Sequence, residues 1–331
     1  MPANLTPDYE KAQLRYRHAA SDEERVAALE EMLAVIPRHK GTEKMQAELK
    51  RRLSQLRKAE QKSTQGKGPD PFHVPKGGAG QVVLIGPPNT GKSSLLAATT
   101  HADAKVADYP FTTTVPLPGM WHQADVQLEL VDTPPLVPGH VPPGLLGTIR
   151  GADVVGVVVE AGEAAFEQTE QVLDILRARG LTLRSVRQDL LPAGDAAQRP
   201  GLLIANKSDS ADPQTVDALR RLYGTPGTGG GLAVVAVSAR LRAGLDELFG
   251  RLWELLARIR VYTKQPGRPP DLQKPFVVPL GATVADLALQ IHRDLPGRMK
   301  FARLWGHSRF EGQQVHKTEV LRDRDVVEIH E

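Results

Sequence analysis

A glycine-rich segment carries the strongest chemical signal in this sequence of 331 residues. It runs from Gly86 to Ser93 and reads Gly-Pro-Pro-Asn-Thr-Gly-Lys-Ser, the spacing GxxxxGKS. In such a loop, backbone N–H groups at a helix N-terminus bind phosphate oxygens, while Lys92 neutralises the β- and γ-oxygens and Ser93 binds Mg²⁺. We therefore predict a phosphate-binding loop with the nucleotide-binding residues Gly86, Asn89, Thr90, Gly91, Lys92, Ser93 and Ser94.

A second segment predicts which base the nucleotide carries. Asn206-Lys207-Ser208-Asp209 follows an apolar run and has the NKxD spacing of a guanine-reading motif. The Asp209 carboxylate can accept from guanine N1–H and from the exocyclic amine, whereas adenine lacks the N1 proton and leaves the charge unpaired. A short loop that supports the base is predicted further on, at Ser238, Ala239 and Arg240. The two segments together predict GTP as the ligand and make an ATPase a distant alternative.

Alternating apolar and helical runs must position these loops. Continuous Val, Leu and Ile runs between helices are typical of a parallel sheet that is covered on both faces. The glycine-rich loop follows such a run and opens a helix, which disfavours a chance glycine-rich turn. We predict an α/β GTPase domain over residues 81–257, with strands at Gln81–Ile85, Val126–Val131, Val154–Val159, Leu202–Ala205 and Ala233–Val237.

Three further segments flank this domain. Residues 1–62 contain apolar residues at helical spacing and predict a basic α-helical hairpin region. Residues 63–80 are rich in Gly, Pro and Lys and predict a linker. Residues 258–331 show an order of strand, strand, helix and strands, which predicts a small α+β domain of the β-grasp kind.

Composition and charge restrict the class of protein. The chain has no cysteine, which excludes disulfides, thiolate metal sites and cysteine nucleophiles, and it has no uninterrupted apolar run of about 18 residues. We expect a cytosolic protein that makes no use of a membrane. The net charge of +3 conceals basic flanks, since residues 1–70 carry 14 Lys and Arg against 11 Asp and Glu, and residues 258–331 carry 13 against 9. Basic flanks favour a polyanionic partner.

A third motif resembles the signature of a known protein family. Tyr109–Pro116 reads Tyr-Pro-Phe-Thr-Thr-Thr-Val-Pro and closely resembles the YPFTT switch I signature of the Obg and developmentally regulated GTP-binding proteins. Residues 259–264 and 325–329 resemble the TGS domain that closes the second of these families, and residues 37–44 extend the resemblance to nearly the whole chain. The TGS branch is the better match, since the glycine-rich N-terminal domain of Obg is not visible. The resemblance implies a TRAFAC-class GTPase that binds Mg²⁺·GTP and acts on the ribosome or RNA.

The resemblance also assigns roles within the site. By its spacing Thr113 is the switch threonine that contacts Mg²⁺ and the γ-phosphate, with Thr112 as the alternative. Asp132 is expected to hold Mg²⁺ through water. The implied metal-binding set is Ser93, Thr113 and Asp132, and the implied catalytic set is Lys92, Thr113 and Asn89.

Two departures from the family pattern bear on activity. The DxxG motif becomes Asp132-Thr133-Pro134-Pro135, and Pro135 has no N–H to donate to the γ-phosphate. Only 73 residues separate Asp132 from Asn206, which leaves little room for the extra domain that we expect there in the eukaryotic relatives. The first departure predicts a weakened switch II. The second predicts that this chain lacks the extra domain and the contacts which that domain makes in the eukaryotic relatives.

The segment that would support hydrolysis differs from that of Ras-like enzymes. The place of the water-orienting Gln of Ras-like enzymes is taken by Leu136. Asn89 matches a phosphate-loop asparagine that in related GTPases helps to hold K⁺ where an arginine finger would act, or it merely hydrogen-bonds within the loop. We predict a slow GTPase that K⁺ could stimulate. The alternative is a hydrolysis-deficient GTP-binding scaffold in which Pro135 and Leu136 weaken switch II.

The C-terminal domain offers a candidate RNA surface. Its basic residues alternate with aromatic residues, which could bind RNA by charge and by stacking. In the alternative, the aromatic residues form the core of the small domain and the charges its solvated face. A co-activating protein is a further partner that the sequence leaves open. The residues concerned are Arg293, Arg298, Lys300, Phe301, Arg303, Trp305, Arg309 and Phe310.

Overall fold

The computed structural model describes residues 7–18, 22–36, 42, 45–54, 70–100, 114–142, 144–192, 197–224, 231–308 and 310–331. The chain divides into two compact units, Met1–Asp70 and Pro71–Glu331. None of the helices within these ranges has the length and apolar character that a membrane crossing requires.

In its described residues the first unit contains three helices, α1 (Pro7–His18), α2 (Asp22–Val35) and α3 (45–54). Leu29 and Met32 of α2 pack with Leu49 of α3 in a small apolar core. Arg15 of α1 pairs with Glu31 of α2 at 2.9 Å. The apolar residues of the predicted helices thus pack on their neighbours, while basic residues of α3, Lys50, Arg51 and Arg52, lie exposed.

The second unit begins with a mainly parallel sheet, as the sequence predicts. Its strand order is β2-β3-β1-β4-β6-β5, with β7 paired to β6. Among the strand pairs that the described residues form in this sheet, β2–β3 is antiparallel and the others are parallel. The strands are β1 (Gln81–Ile85), β2 (Leu117–Gln123), β3 (Val126–Asp132), β4 (Val154–Glu160), β5 (Thr182–Arg184), β6 (Gln198–Asn206) and β7 (Val234–Ala236).

Helices cover both faces of this sheet, which confirms the predicted α/β class. Successive residues of β1 alternate between the faces, so that Val83 and Ile85 enter one apolar cluster and Val82 and Leu84 enter the other. Three helices contribute to the first cluster, α5 (Leu145–Gly151), α6 (Ala165–Arg177) and α7 (Pro213–Tyr223). Two contribute to the second, α4 (Lys92–Thr99) and α8 (Leu245–Leu256).

Strand β2 is absent from the sequence prediction. Its sequence, Leu-Pro-Gly-Met-Trp-His-Gln, contains a proline and a glycine, which are both uncommon inside strands. The strand lies at the edge of the sheet and pairs along its whole length with β3. Trp121 of β2 meets Phe249 of α8 edge to face, with ring centroids 5.1 Å apart. Tertiary packing therefore outweighs the local propensity here.

The segment 71–80 differs from the linker that its composition predicts. Lys76 donates to Asp153 at 2.5 Å, and the backbone N–H of Gly77 donates to Glu129 at 3.1 Å. Thr148 donates to the carbonyl of Phe72 at 2.6 Å, and Phe72 itself packs against the apolar core. These contacts fix the segment on the α/β domain because they pair its polar groups with buried partners.

A five-stranded sheet forms the C-terminal part, in the order β11-β10-β12-β8-β9. One helix, α9, begins at a capping box in which Thr283 and Asp286 exchange hydrogen bonds. The β-grasp order is as predicted, with β11 as an additional strand. The elements are β8 (Arg258–Thr263), β9 (Phe276–Pro279), α9 (Val284–Ile291), α10 (Leu295–Arg298), β10 (Phe301–Trp305), β11 (Gln313–Val315) and β12 (Asp325–His330).

The aromatic residues Phe301 and Trp305 of β10 lie outside the small domain's core. Alternate residues Ala302 and Leu304 of β10 enter the core, which turns Phe301, Arg303 and Trp305 to the opposite face. Phe301 stacks on His330 with ring centroids 4.4 Å apart. The alternative in which these aromatic residues build the core is therefore not what the structure shows.

Strand β8 joins the α/β domain to the β-grasp domain, within the second unit, through a hydrogen-bonded charge cluster. Arg260 pairs with Asp125, in the turn between β2 and β3, at 3.0 Å and with Asp323 at 2.6 Å. Tyr262 also donates to Asp125. Although partial burial opposes the shift, the hydrogen bonds from Tyr262 and Arg260 hold the pKa of Asp125 below its usual value. We call Asp125, Arg260, Tyr262 and Asp323 the interdomain cluster.

Candidate nucleotide-binding site

The glycine-rich loop connects β1 to α4, where the sequence places it. Gly91 is the N-terminal cap of α4 and adopts a left-handed conformation with φ 85°. A side chain at Gly86 would meet the carbonyl oxygen of Val158 at 2.2 Å, which only glycine avoids. The loop therefore opens directly into a helix N-terminus, where unpaired N–H groups can bind phosphate.

Lys92 lies folded against this loop. Its side chain is buried, with 7% of the residue exposed, and its ammonium group donates to the carbonyls of Gly86 at 3.0 Å and Pro87 at 2.8 Å. Burial lowers the pKa of Lys92 to about 8, and the charge of Asp132 opposes that shift. The cation is thus held where phosphate oxygens would approach the loop.

Two of the predicted magnesium ligands are in contact. Ser93 in the first turn of α4 donates to the carboxylate of Asp132, at the end of β3, at 2.5 Å. A hydroxyl and a carboxylate are hard oxygen ligands of the kind that Mg²⁺ prefers, so the two residues suit this ion. The third predicted ligand, Thr113, its alternative Thr112 and the switch I segment 109–113 lie outside the described residues.

Asn206 connects the two predicted nucleotide-binding loops. Its amide nitrogen donates to the carbonyl of Thr90 at 2.9 Å, and its amide oxygen accepts from the N–H of Ala239 at 3.1 Å. The side chain is almost fully buried. A β-carbon on Gly91 would lie 2.3 Å from the amide nitrogen of Asn206. Asn206 therefore sets the distance between the phosphate loop and the base loop.

Asp209 follows Asn206 in a short 3₁₀ turn. Its carboxylate accepts from the Ser238 hydroxyl at 2.5 Å and from the Arg240 guanidinium at 2.5 Å. The hydrogen bond from Ser238 is the main reason why the pKa of Asp209 lies below its usual value, and the bond from Arg240 adds to it. An ionised carboxylate is what guanine recognition requires.

A cavity of about 360 Å³ lies between these loops. Its wall brings together one end of the phosphate loop and both predicted base-reading segments. Ser210 also lines it, and sequence reasoning did not include this residue. The lining residues are Gly91, Ser94, Asn206, Lys207, Asp209, Ser210, Ala239 and Arg240.

Glu160 is a second residue that sequence reasoning missed. It ends β4 and accepts from the Lys207 ammonium group at 2.8 Å, which holds Lys207 beside the cavity. Lys207 itself has a left-handed backbone with φ 62°. In α/β sheets, ligand-binding residues gather at the carboxyl ends of parallel strands. Glu160 could have been predicted from its position at the end of β4.

The residues after Asp132 are fixed against the phosphate loop. Thr133 donates to the carbonyl of Leu84 at 2.7 Å, and the N–H of Leu136 donates to the carbonyl of Gly86 at 3.0 Å. The side chain of Leu136 is fully buried in the apolar core. In this arrangement neither the side chain nor the N–H of Leu136 can orient a water molecule.

Asn89 lies exposed on the phosphate loop and has a left-handed backbone with φ 62°. Across the described ranges its side chain forms no hydrogen bond. The alternative of a purely internal hydrogen bond therefore gains no support from the described residues.

Comparisons with protein families match two parts of the chain. The family described as "50S ribosome-binding GTPase" matches residues 81–188. The family described as "TGS domain" matches residues 259–331. The two matches follow the same order as the α/β domain and the β-grasp domain of the structure.

Curated relatives align over most of the chain. An uncharacterized GTP-binding protein of Halobacterium salinarum is 31% identical, over 93% of this chain and 98% of its own. Developmentally-regulated GTP-binding protein 2 of Homo sapiens is 27% identical, over 92% of this chain and 98% of its own.

Solved structures show more distant likenesses. NFeoB from S. thermophilus, bound to GDP·AlF4⁻ and K⁺, is 24% identical with a TM-score of 0.37 and covers 52% of this chain and 60% of its own. A single-residue variant of Era from Aquifex aeolicus, bound to GDP·AlF4⁻, is 19% identical with a TM-score of 0.39 and covers 68% of this chain and 71% of its own.

Substitution of Gly91 by Ala tests the connection between the two loops. The new β-carbon would collide with the Asn206 amide and would favour a different backbone conformation, so we expect at least about a tenfold loss of GTP affinity. A fluorescent guanine nucleotide in a binding titration measures it. The control is Gly147→Ala in α5, where a β-carbon meets nothing within 4 Å and affinity should stay unchanged. Equal affinities for the two variants would contradict the prediction.

Proposed function

Because the chain belongs to the family of developmentally regulated GTP-binding proteins, with a GTPase domain followed by a TGS domain, we propose that it binds Mg²⁺·GTP at the site described above and hydrolyses it slowly. The products are GDP and phosphate. The observation that carries this proposal is the contact of Asn206 with both Thr90 and Ala239, which holds the phosphate loop and the base loop around one cavity.

Each residue of the site has a distinct task in this proposal. Lys92 neutralises the charge of the β- and γ-phosphates, and backbone N–H groups of the loop from Gly86 to Ser93 bind their oxygens. Ser93 and Asp132 would hold Mg²⁺, with Thr113 as the third ligand, and the ion supplies further charge neutralisation when it is bound. Asp209 selects guanine.

Asn89 is the residue that we assign to monovalent-ion stimulation. It is exposed, and its carboxamide oxygen suits a K⁺ ion beside the phosphates. Among the residues that the structure describes we assign no arginine finger, and the Leu136 side chain is buried. A positive charge from the solution is therefore the simplest source of transition-state stabilisation. This assignment rests on the exposure of Asn89 and on its match to the family.

Single-turnover GTP hydrolysis in matched KCl and NaCl buffers tests this activity. We expect cleavage to be at least about tenfold faster in KCl, because the ion stabilises charge that develops in the transition state. In Asn89→Ala the ratio of the two rates should fall to about one. Stimulation by KCl that survives in Asn89→Ala would remove Asn89 from this role. Bound GTP that is cleaved in neither salt would favour the second function.

A second function, a GTP-binding scaffold with little hydrolysis, is favoured by the switch II segment. Pro135 has no N–H to offer the γ-phosphate, and the next N–H, that of Leu136, is already bonded to the carbonyl of Gly86. The buried side chain of Leu136 anchors the same segment in the core. A segment held in this way responds weakly to the γ-phosphate.

The variant Pro135→Gly distinguishes a weakened switch from an unaffected one. It restores an N–H at the DxxG position, so we expect both a higher single-turnover rate and a larger ratio of GDP to GTP dissociation constants, each by about five- to tenfold. The matched control is Pro134→Gly, which frees the backbone one residue earlier. A Pro135→Gly protein with native rate and native ratio would show that the proline does not limit the switch.

We assign the ribosome or its RNA as the partner, with the TGS sheet as one contact surface. The outer face of β10 and β12 carries Phe301, Arg303 and Trp305, and the Lys264 ammonium lies 4.2 Å from the centroid of the Trp305 ring. Arg303 is exposed. Aromatic rings beside cations suit unpaired bases and phosphates. A co-activating protein is a further partner that the family resemblance allows.

Ribosome pull-down over a series of salt concentrations tests the partner. Binding should weaken steeply as salt rises, because released counterions drive charge-mediated association. Arg303→Gln should reduce the slope of log affinity against log salt by about one. Arg268→Gln, which removes one charge from the loop between β8 and β9, is the matched control and should change the slope less. Salt-independent capture would contradict a polyanionic partner.

A further inference from the structure

The carboxylate that reads guanine already has two partners within the protein. One oxygen of Asp209 accepts from the Ser238 hydroxyl, and the other accepts from the Arg240 guanidinium. Only 7% of the Asp209 side chain is exposed, against 75% of the Arg240 side chain. The buried carboxylate is therefore covered on one oxygen by a cation that reaches in from the surface.

The backbone holds Arg240 in place for this contact. The N–H of Ala239 donates to Asn206, and the N–H of Leu241 donates to the Ser238 hydroxyl. Ser238 and Ala243 form an isolated bridge that closes the loop. Both Arg240 and Asp209 line the same cavity. The ion pair thus lies within the base site and belongs to a loop with little freedom.

Guanine needs both carboxylate oxygens, because its N1–H and its exocyclic amine donate side by side. Hypoxanthine, the base of ITP, has the N1–H and no amine, so it can use one oxygen alone. We propose, on the basis of the proposed guanine site, that Arg240 is a specificity-determining residue, which occupies the position on Asp209 that the guanine amine takes. Under this proposal the guanidinium takes the acceptor position that the amine needs, so GTP displaces Arg240, whereas ITP leaves the pair in place. The other oxygen accepts from Ser238 and from N1–H together.

This competition has a definite consequence for nucleotide selectivity. In the native protein, the guanine amine adds less to the affinity for GTP, because binding of the amine breaks the ion pair between Arg240 and Asp209. Without the guanidinium, GTP breaks no ion pair, and ITP leaves one oxygen of a mostly buried carboxylate without a protein partner. Arg240 therefore narrows the difference in affinity between GTP and ITP.

Titrations of GTP and ITP against the full chain test the proposal. In Arg240→Met the ratio of the ITP to the GTP dissociation constant should rise about two- to fivefold, the range expected when one exposed ion pair no longer competes. Arg240→Lys keeps a cation and should stay near the native ratio. Arg242→Met removes the same charge two residues further on and is the matched control. GTP and ITP carry the same triphosphate, so a weaker attraction between the protein and the phosphates changes both dissociation constants equally and leaves their ratio unchanged.

The outcomes separate this proposal from the function on which it rests. A native protein that binds neither nucleotide would overturn the proposed guanine site itself. Good GTP binding with the same ratio in Arg240→Met and Arg242→Met would overturn the role of Arg240 alone. A lower GTP affinity specific to Arg240→Met would also overturn it, because it would show that the guanidinium assists the bound base.

Discussion

The buried carboxamide of Asn206 is the contact on which the arrangement of the nucleotide site depends. Asn206 donates to the carbonyl of Thr90 and accepts from the N–H of Ala239. These hydrogen bonds connect three loops that are far apart in the sequence. Because the amide is buried, any separation of these loops would leave polar atoms without partners. The close approach of Gly91 to the same amide explains why the loop needs glycine at that position. The predicted phosphate loop and the predicted base loop therefore share one structural element.

The interdomain cluster connects the sheet of the GTPase domain to the TGS domain. Asp125 lies at the turn of the β2–β3 hairpin, and at the far end of that hairpin Leu117 of β2 pairs with Asp132 of β3. Arg260 and Tyr262 of β8 hold this turn from the TGS side. Two paired strands thus connect the end of the site that is proposed to bind Mg²⁺ with the small domain.

Sequence reasoning was most accurate where a motif is local. The α/β class, the family and the five strands predicted for the α/β domain are confirmed, since apolar periodicity and loop spacing are properties of contiguous residues. The roles of the site residues remain predictions, although the structure brings the phosphate loop, Asp132 and the NKxD residues together. Strand β2 and the docking of residues 71–80 were missed. In both, long-range contacts outweigh Pro, Gly and Lys compositions that locally predict irregular structure.

The sequence by itself determined the ligand chemistry, because GxxxxGKS and NKxD place their donors and acceptors through local backbone geometry. Tertiary structure alone decided how these groups are restrained. The pairing of Arg240 with Asp209, the bond from Leu136 to Gly86 and the contact of Arg260 with Asp125 join residues that lie 31, 50 and 135 positions apart. No local pattern encodes such pairs, since each depends on which strands of the sheet become neighbours and on the burial that makes an unpaired charge costly.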